Sequence, residues 1–182
     1  MVLAEGLTGE AGIRPLLELW RAFMAEAPLD LKWNINLRLA PHTHKVPAEL
    51  RGRPVASNSL VWTGDPEAGC QYLERALAMC DADSVTGRVV SFLTLQTMAD
   101  SDFPHGRRYY TKSGYFNYLD NSSIDQLIAT LATIPSPETM IELAYLGGAA
   151  SLIPASETAV PIRITPPRYE RPSISQLQTA GA

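Results

Sequence analysis

The run Asn34-Ile-Asn-Leu-Arg-Leu39 constrains this chain more than any other stretch. Its strict alternation puts Ile35, Leu37 and Leu39 on one side of an extended backbone and Asn34, Asn36 and Arg38 on the other, which is the pattern of a strand with one covered face. A fold built around it needs helices or a second layer against the apolar side.

Such helices are written nearby. Ile13, Leu16, Leu17, Trp20, Phe23 and Met24 keep helical spacing, with Pro15 in the first turn where a missing amide costs little, and the helix ends near Ala27-Pro28. Residues 2 to 7 are short and mixed, in keeping with the end of a strand. Arg53 to Trp62 reads as a second strand. Asp65 and Pro66 then read as cap and first helical position of a helix whose buried stripe is Cys70, Leu73, Leu77 and Cys80.

Later elements repeat the rhythm. Val89 to Ala99 is apolar and poorly periodic and fits strand or helix. Asn121-Ser-Ser-Ile-Asp125 opens another helix, Ser122 and Asp125 having capping-box spacing, with Ile124, Leu127, Ile128 and Leu131 as its core face. Thr139 to Leu146 reads as a strand entering Gly147-Gly148, and Thr158 to Arg163 as a short extended stretch. From Thr165 the chain is rich in Pro, Ser, Gln and Thr and is expected to be disordered. The residues alone therefore give an α+β domain.

Composition closes off several function classes. The 182 residues suffice for one domain with a real core, 46% hydrophobic and 19% charged residues are ordinary, and a net charge of -4 leaves no footprint for nucleic acid or an anionic membrane. No apolar run reaches bilayer length and the N-terminus lacks a signal-peptide pattern, so a cytoplasmic protein is expected. Two cysteines, ten apart on what reads as one helix, are poorly placed for a disulfide and are expected as buried or half-buried thiols. His42 and His44 lack a third ligand nearby, so no metal is expected.

The candidate site is Phe103-Pro-His-Gly-Arg-Arg-Tyr-Tyr-Thr-Lys-Ser-Gly-Tyr115, which gathers three tyrosines, two arginines, a lysine and a histidine. As a strand after Gly106 it would put Arg108, Tyr110 and Lys112 on one face and Tyr109, Thr111, Ser113 and Tyr115 on the other. Either row can line an opening, and an edge strand with solvated cations is the plainer alternative. Glu142 sits on the face of Met140, Ala144 and Leu146, where a carboxylate is either at an edge or paired.

Five segments in order, Val61-Trp-Thr-Gly-Asp-Pro-Glu67, Leu95-Gln-Thr-Met98, Phe103 to Tyr115, Leu146-Gly-Gly-Ala149 and Thr158-Ala-Val-Pro-Ile-Arg163, carry a family resemblance. From about Val2 to Arg163 the chain resembles the substrate-binding domain of berberine bridge enzyme-like FAD-linked oxidases, of the vanillyl-alcohol oxidase type. The resemblance implies an antiparallel sheet flanked by helices that roofs a flavin held by a separate domain, with hydride transfer from an alcohol or C–H to FAD. By that analogy Tyr110, Lys112 and Glu142 contact a small-molecule substrate.

The departures shape the expectation. The family's flavin domain precedes this region and is expected to be absent, so residues 1–163 form an incomplete substrate domain, 164–182 a Pro-rich tail, and the chain alone binds no FAD. Isoleucine at Ile162 stands where the family often has a histidine. The chain then acts with a separate FAD-binding chain or self-associates, without catalysis of its own. The alternative is a non-redox ligand-binding or interaction module derived from the same domain.

Overall fold

The computed structural model describes residues 1–80, 84–116, 118–147, 152–157 and 174–179. The alternating run becomes β2 (Leu31–Leu39), an inner strand of a seven-stranded sheet. Its other strands are β1 (Val2–Gly9), β3 (Pro54–Trp62), β4 (Ser84–Val89), β5 (Tyr110–Phe116), β6 (Met140–Tyr145) and β7 (Ile174–Thr179). The order across the sheet is β4-β1-β3-β2-β6-β7-β5, and every neighbouring pair is antiparallel. The expected α+β architecture, an antiparallel sheet flanked by helices, is the one observed.

One face of that sheet carries the core. Trp33, Ile35 and Leu37 of β2 meet Leu60 and Ala56 of β3, Val2 and Ala4 of β1, and Ile141 and Leu143 of β6. Three helices cover them: α1 (Ile13–Ala25), α2 (Pro66–Ala78) and α4 (Asn121–Ala132). Trp20 and Trp33 are fully buried, and burying one such ring and its neighbours contributes about 2–3 kcal/mol per large side chain. The indole N–H of Trp20 donates to the Trp33 carbonyl at 3.1 Å, and that of Trp33 to Asn58 Oδ1 at 3.1 Å. Asn58 in turn donates to the Thr8 hydroxyl at 3.3 Å, so this buried polar row is internally paired.

Local chemistry sets the helix starts. Asp65 caps α2 by accepting from the Ala68 amide at 3.0 Å, with Pro66 at the first helical position. In α4 the cap is Asp120, not the Ser122–Asp125 pair: its carboxylate accepts from the Ser123 amide at 2.7 Å and from the Ser122 hydroxyl at 3.1 Å. A carboxylate is the stronger acceptor for the positive end of a helix, which is why it wins over the neighbouring serine. The ambiguous segment after Val89 divides at Ser91, whose hydroxyl caps the short α3 (Phe92–Thr97) by accepting from the Thr94 amide at 3.0 Å.

Two expectations need correction. Residues 2 to 7 are not a strand end but most of an eight-residue strand, β1, hydrogen-bonded on both sides. Ile174–Thr179, placed in a disordered tail, instead pairs with both β5 and β6. The gap between those strands offers two rows of unpaired backbone groups, and backbone pairing does not require a hydrophobic side-chain pattern. The remainder of that tail, the extended stretch 158–163 with Ile162, and Gly148 lie outside the described residues. Cys80 is buried and Cys70 half-buried, and both are free thiols, as expected.

Candidate functional site

The face of the sheet turned away from the helices holds the polar residues. Asn34, Asn36 and Arg38 project from β2, facing Ser59, Ser57 and Val55 of β3 and Ala144, Glu142 and Met140 of β6. At one end the loop after β2 folds over it, burying a small cluster of Ala40, Val46 and Val55. That loop turns back through Gly52, whose φ of +72° is a conformation that side chains with a Cβ rarely adopt, and closes with the Gly52 amide on the Ala40 carbonyl at 2.8 Å.

Glu142 is paired rather than at an edge. β6 lies between β2 and β7, and the half-buried Glu142 accepts from Asn34 Nδ2 at 3.0 Å. Beside that bond the other polar atoms of the row have no partner among the described residues. Asn34 Oδ1, Asn36 Oδ1 and Arg38 Nε are all shielded from solvent and make no hydrogen bond. Three orphaned polar atoms on successive outward positions of one strand are costly unless something polar meets them.

The aromatic and basic stretch reaches this face through register. β5 starts only at Tyr110, so Arg107, Arg108 and Tyr109 belong to the loop before it. Tyr110 is opposite Thr179, Lys112 opposite Leu177 and Tyr115 opposite Ser175, while Ser175 is opposite Ala144. Residues directly opposite share a face, so Tyr110, Lys112 and Tyr115 lie on the face of Ala144 and Glu142. Tyr115 is there because of a bulge between Lys112 and Tyr115, which adds one residue and reverses the side expected for it from simple alternation.

Continuing the β6–β7 register brings Glu142 level with Leu177, and therefore with Lys112 two strands away. Two inter-strand spacings make that separation roughly 10 Å between backbones. Lys112 Nζ lies 5.8 Å from the Tyr110 ring centroid, a cation–π contact. Tyr110 and Tyr115 are half-exposed, at 57% and 49%. The three expected site residues, Tyr110, Lys112 and Glu142, thus share one sheet face. Sequence reasoning missed their neighbours Asn34, Asn36 and Arg38 as site residues, although their outward alternation was plain.

Among the described residues no group of three or more His, Cys, Asp or Glu is placed to hold a metal ion, and no helix is long and apolar enough to cross a membrane. The face is polar and carries unpartnered donor and acceptor atoms at Asn34, Asn36 and Arg38. Among the described residues no glycine-rich turn opens a helix on this face.

No family model and no curated protein matches the chain in sequence. Solved structures do match in fold. A berberine bridge enzyme-like protein, number 28, from Arabidopsis thaliana aligns over 98% of this chain and 37% of its own, with a TM-score of 0.63 and 14% identity. A variant of berberine bridge enzyme in complex with (S)-reticuline aligns over 99% and 36%, with a TM-score of 0.65 and 14% identity. Phl p 4.0202, a glucose dehydrogenase, aligns over 100% and 36%, with a TM-score of 0.65 and 12% identity. The chain spans little more than a third of the length of each of these proteins. The resemblance seen in the five ordered segments is therefore matched by architecture, and the chain has the fold of a segment of the berberine bridge enzyme-like proteins.

Proposed function

We propose that this chain is the substrate-binding part of a FAD-linked oxidoreductase that oxidises an alcohol or C–H bond, with the flavin held by a separate body. The observation that carries this reading is the polar sheet face, which the Asn34–Glu142 pair and the unpartnered atoms of Asn34, Asn36 and Arg38 share with Lys112. Its fold, shared with about a third of each matched protein, fits a part that works against another.

In this reading Tyr110, Lys112 and Glu142 contact the substrate. The bound flavin would supply the hydride acceptor, the hard part of the chemistry, and the chain's own residues orient the substrate and hold its proton. Glu142, kept in place by the Asn34 amide, is suited to accept a proton from a substrate hydroxyl, and Lys112 to steady the oxygen that loses it. Tyr110 and Tyr115 offer flat, half-exposed rings for an apolar substrate body. Phe92 and Leu93, 65% and 72% exposed directly after edge strand β4, supply apolar surface for the flavin-binding partner.

The test is a visible absorption spectrum of the purified chain, before and after incubation with excess FAD and desalting. The reading expects no retained flavin on the chain alone. A flavin spectrum that survives desalting would overturn the assignment of the cofactor to a separate body. The site assignment is tested by binding of vanillyl alcohol, a phenolic alcohol, which Tyr110→Phe and Lys112→Ala should each weaken; unchanged affinity in both leaves the non-redox module without its cleft as well.

A further inference from the structure

We propose that the cleft at the Arg38 end of the polar face binds the anionic end of a small organic molecule, and that its ligand is an aromatic carboxylate. The cleft has a volume of about 640 Å³ and lies between the loop after β2, the 101–109 loop and the turn before β6. That is within the range of small-molecule sites, roughly 300–1,000 Å³.

Charge and shape decide the ligand class. Three guanidiniums line the cleft, those of Arg38, Arg107 and Arg108, against the carboxylates of Asp102 and Glu138. Arg107 is engaged with Glu138 at 2.8 Å. Neither the Arg38 nor the Arg108 guanidinium makes a hydrogen bond or ion pair among the described residues, and Arg38 Nε is shielded from water as well. Two uncommitted guanidiniums against one remaining carboxylate favour an anion, and the planar guanidinium fork matches a carboxylate.

The walls argue against a bare inorganic ion. Phe103 and Tyr109 form a tilted ring pair with centroids 5.7 Å apart, each 41% exposed. The Tyr109 hydroxyl donates to the Pro104 carbonyl at 2.8 Å, so what this residue offers the cleft is its ring. Aromatic rings and free guanidiniums lining one cleft fit an aryl group carrying a carboxylate.

This inference rests on the oxidoreductase reading only in naming that site's substrate class. Met140 lines the cleft directly opposite Arg38 and is two residues, roughly 7 Å, from Glu142. A carboxylate held by Arg38 is therefore bound two residues along β6 from Glu142.

The experiment is a titration of the full 182-residue chain, ¹⁵N-labelled, with sodium benzoate, followed on the arginine Nε–H signals; inorganic phosphate and benzyl alcohol are the comparators. Benzoate should shift the Arg38 signal saturably in the millimolar range, phosphate should bind more weakly and benzyl alcohol should leave the signal in place. Arg108→Gln, on an exposed side chain, should weaken benzoate binding at least about tenfold, whereas Arg75→Gln on α2 should not change it. No benzoate-dependent shift, or equal binding by the two variants, overturns the anion site. Phosphate binding as tightly as benzoate overturns the aromatic carboxylate. Because Arg38→Gln alters a half-buried residue and can fail to fold, Arg108→Gln carries the test. No flavin enters this measurement, so its failure is separate from failure of the oxidoreductase reading.

Discussion

Asn34 and Glu142 meet diagonally across the β2–β6 pair: Asn34 is opposite Ala144, yet its amide reaches back two residues to the Glu142 carboxylate at 3.0 Å. A diagonal of this kind is within reach of long polar side chains, and it ties the outward face of two inner strands together. Glu142→Leu leaves that amide half-buried without its acceptor and should cost about 1–2 kcal/mol in urea unfolding. The double variant Asn34→Leu/Glu142→Leu should recover part of the loss, because removing both partners leaves no orphan. A double variant as unstable as the sum of the two single ones would show that the pair contributes nothing as a pair.

The buried row from Trp33 through Asn58 to Thr8 makes a harsher prediction. Asn58 is 2% exposed and holds the only acceptor that the Trp33 indole N–H is seen to use among the described residues. Asn58→Leu should destabilise by about 1–3 kcal/mol, since both the indole N–H and the Thr8 hydroxyl lose their partner. Thermal unfolding checks it. Full retention of stability would mean that the row can repack.

The two cysteines should separate in their chemistry. Burial pushes the Cys80 thiol up to about 12, and its Sγ donates to the Ala76 carbonyl at 3.1 Å. At pH 8 it stays protonated and enclosed while the chain is folded, so a thiol reagent should label half-buried Cys70 well before Cys80. Mass spectrometry of the labelled sites reads this directly. Labelling of Cys80 at the rate of Cys70 in native buffer would show that the C-terminal end of α2 opens readily.

The elements that were legible in the sequence are those whose signals are local. Asp65-Pro66 announces α2, the apolar stripe from Ile13 to Met24 announces α1, and the alternation of Ile35 and Leu37 announces β2. β4 was not legible because Ser84–Val89 is short and contains Gly87, and it exists as a strand through pairing with β1. β7 depends in the same way on β5 and β6. Tyr110, Lys112 and Glu142 could be picked out as residue types, but their common face comes from strand order and from a bulge that no pattern of spacing reveals. Arg38 was visible as an outward residue and invisible as a cleft residue, since the 101–109 loop meets it only in the folded chain.

Trp62 explains why a glycine suits position 69. A Cβ on Gly69 would run into the Trp62 ring, whose Cγ would lie only 2.7 Å away, and that ring is held in place by Tyr72 with centroids 5.3 Å apart. Gly69→Ala would gain helix propensity in α2, by about 1 kcal/mol, but overpacking against an indole of 8% exposure costs about 1–3 kcal/mol. The net effect should be a loss of stability, whereas in a Trp62→Ala background, where no ring meets the new Cβ, the same Gly69→Ala change should no longer destabilise. A Gly69→Ala variant more stable than the parent would mean that the indole swings aside freely.

Asp120 should make stability depend on pH in a definite direction. The Ser123 amide, then the Ser123 and Ser122 side chains, hold its carboxyl below the usual carboxylate range, with Arg21 adding a smaller pull the same way. In the unfolded chain the same group titrates near about 3.9. A folded value below the unfolded one means that the unfolded chain binds more protons between the two, so this contribution is fully present above about pH 4 to 5 and is lost as pH falls through the folded value. Asp120→Asn keeps a good cap but removes the titration. The stabilities of parent and variant, measured by urea unfolding across pH 2 to 6, should therefore converge at the acid end and separate as the pH rises, with the parent gaining. Parallel curves across that range would show that the cap works equally well with a neutral acceptor and that the Asp120 charge contributes nothing to holding α4.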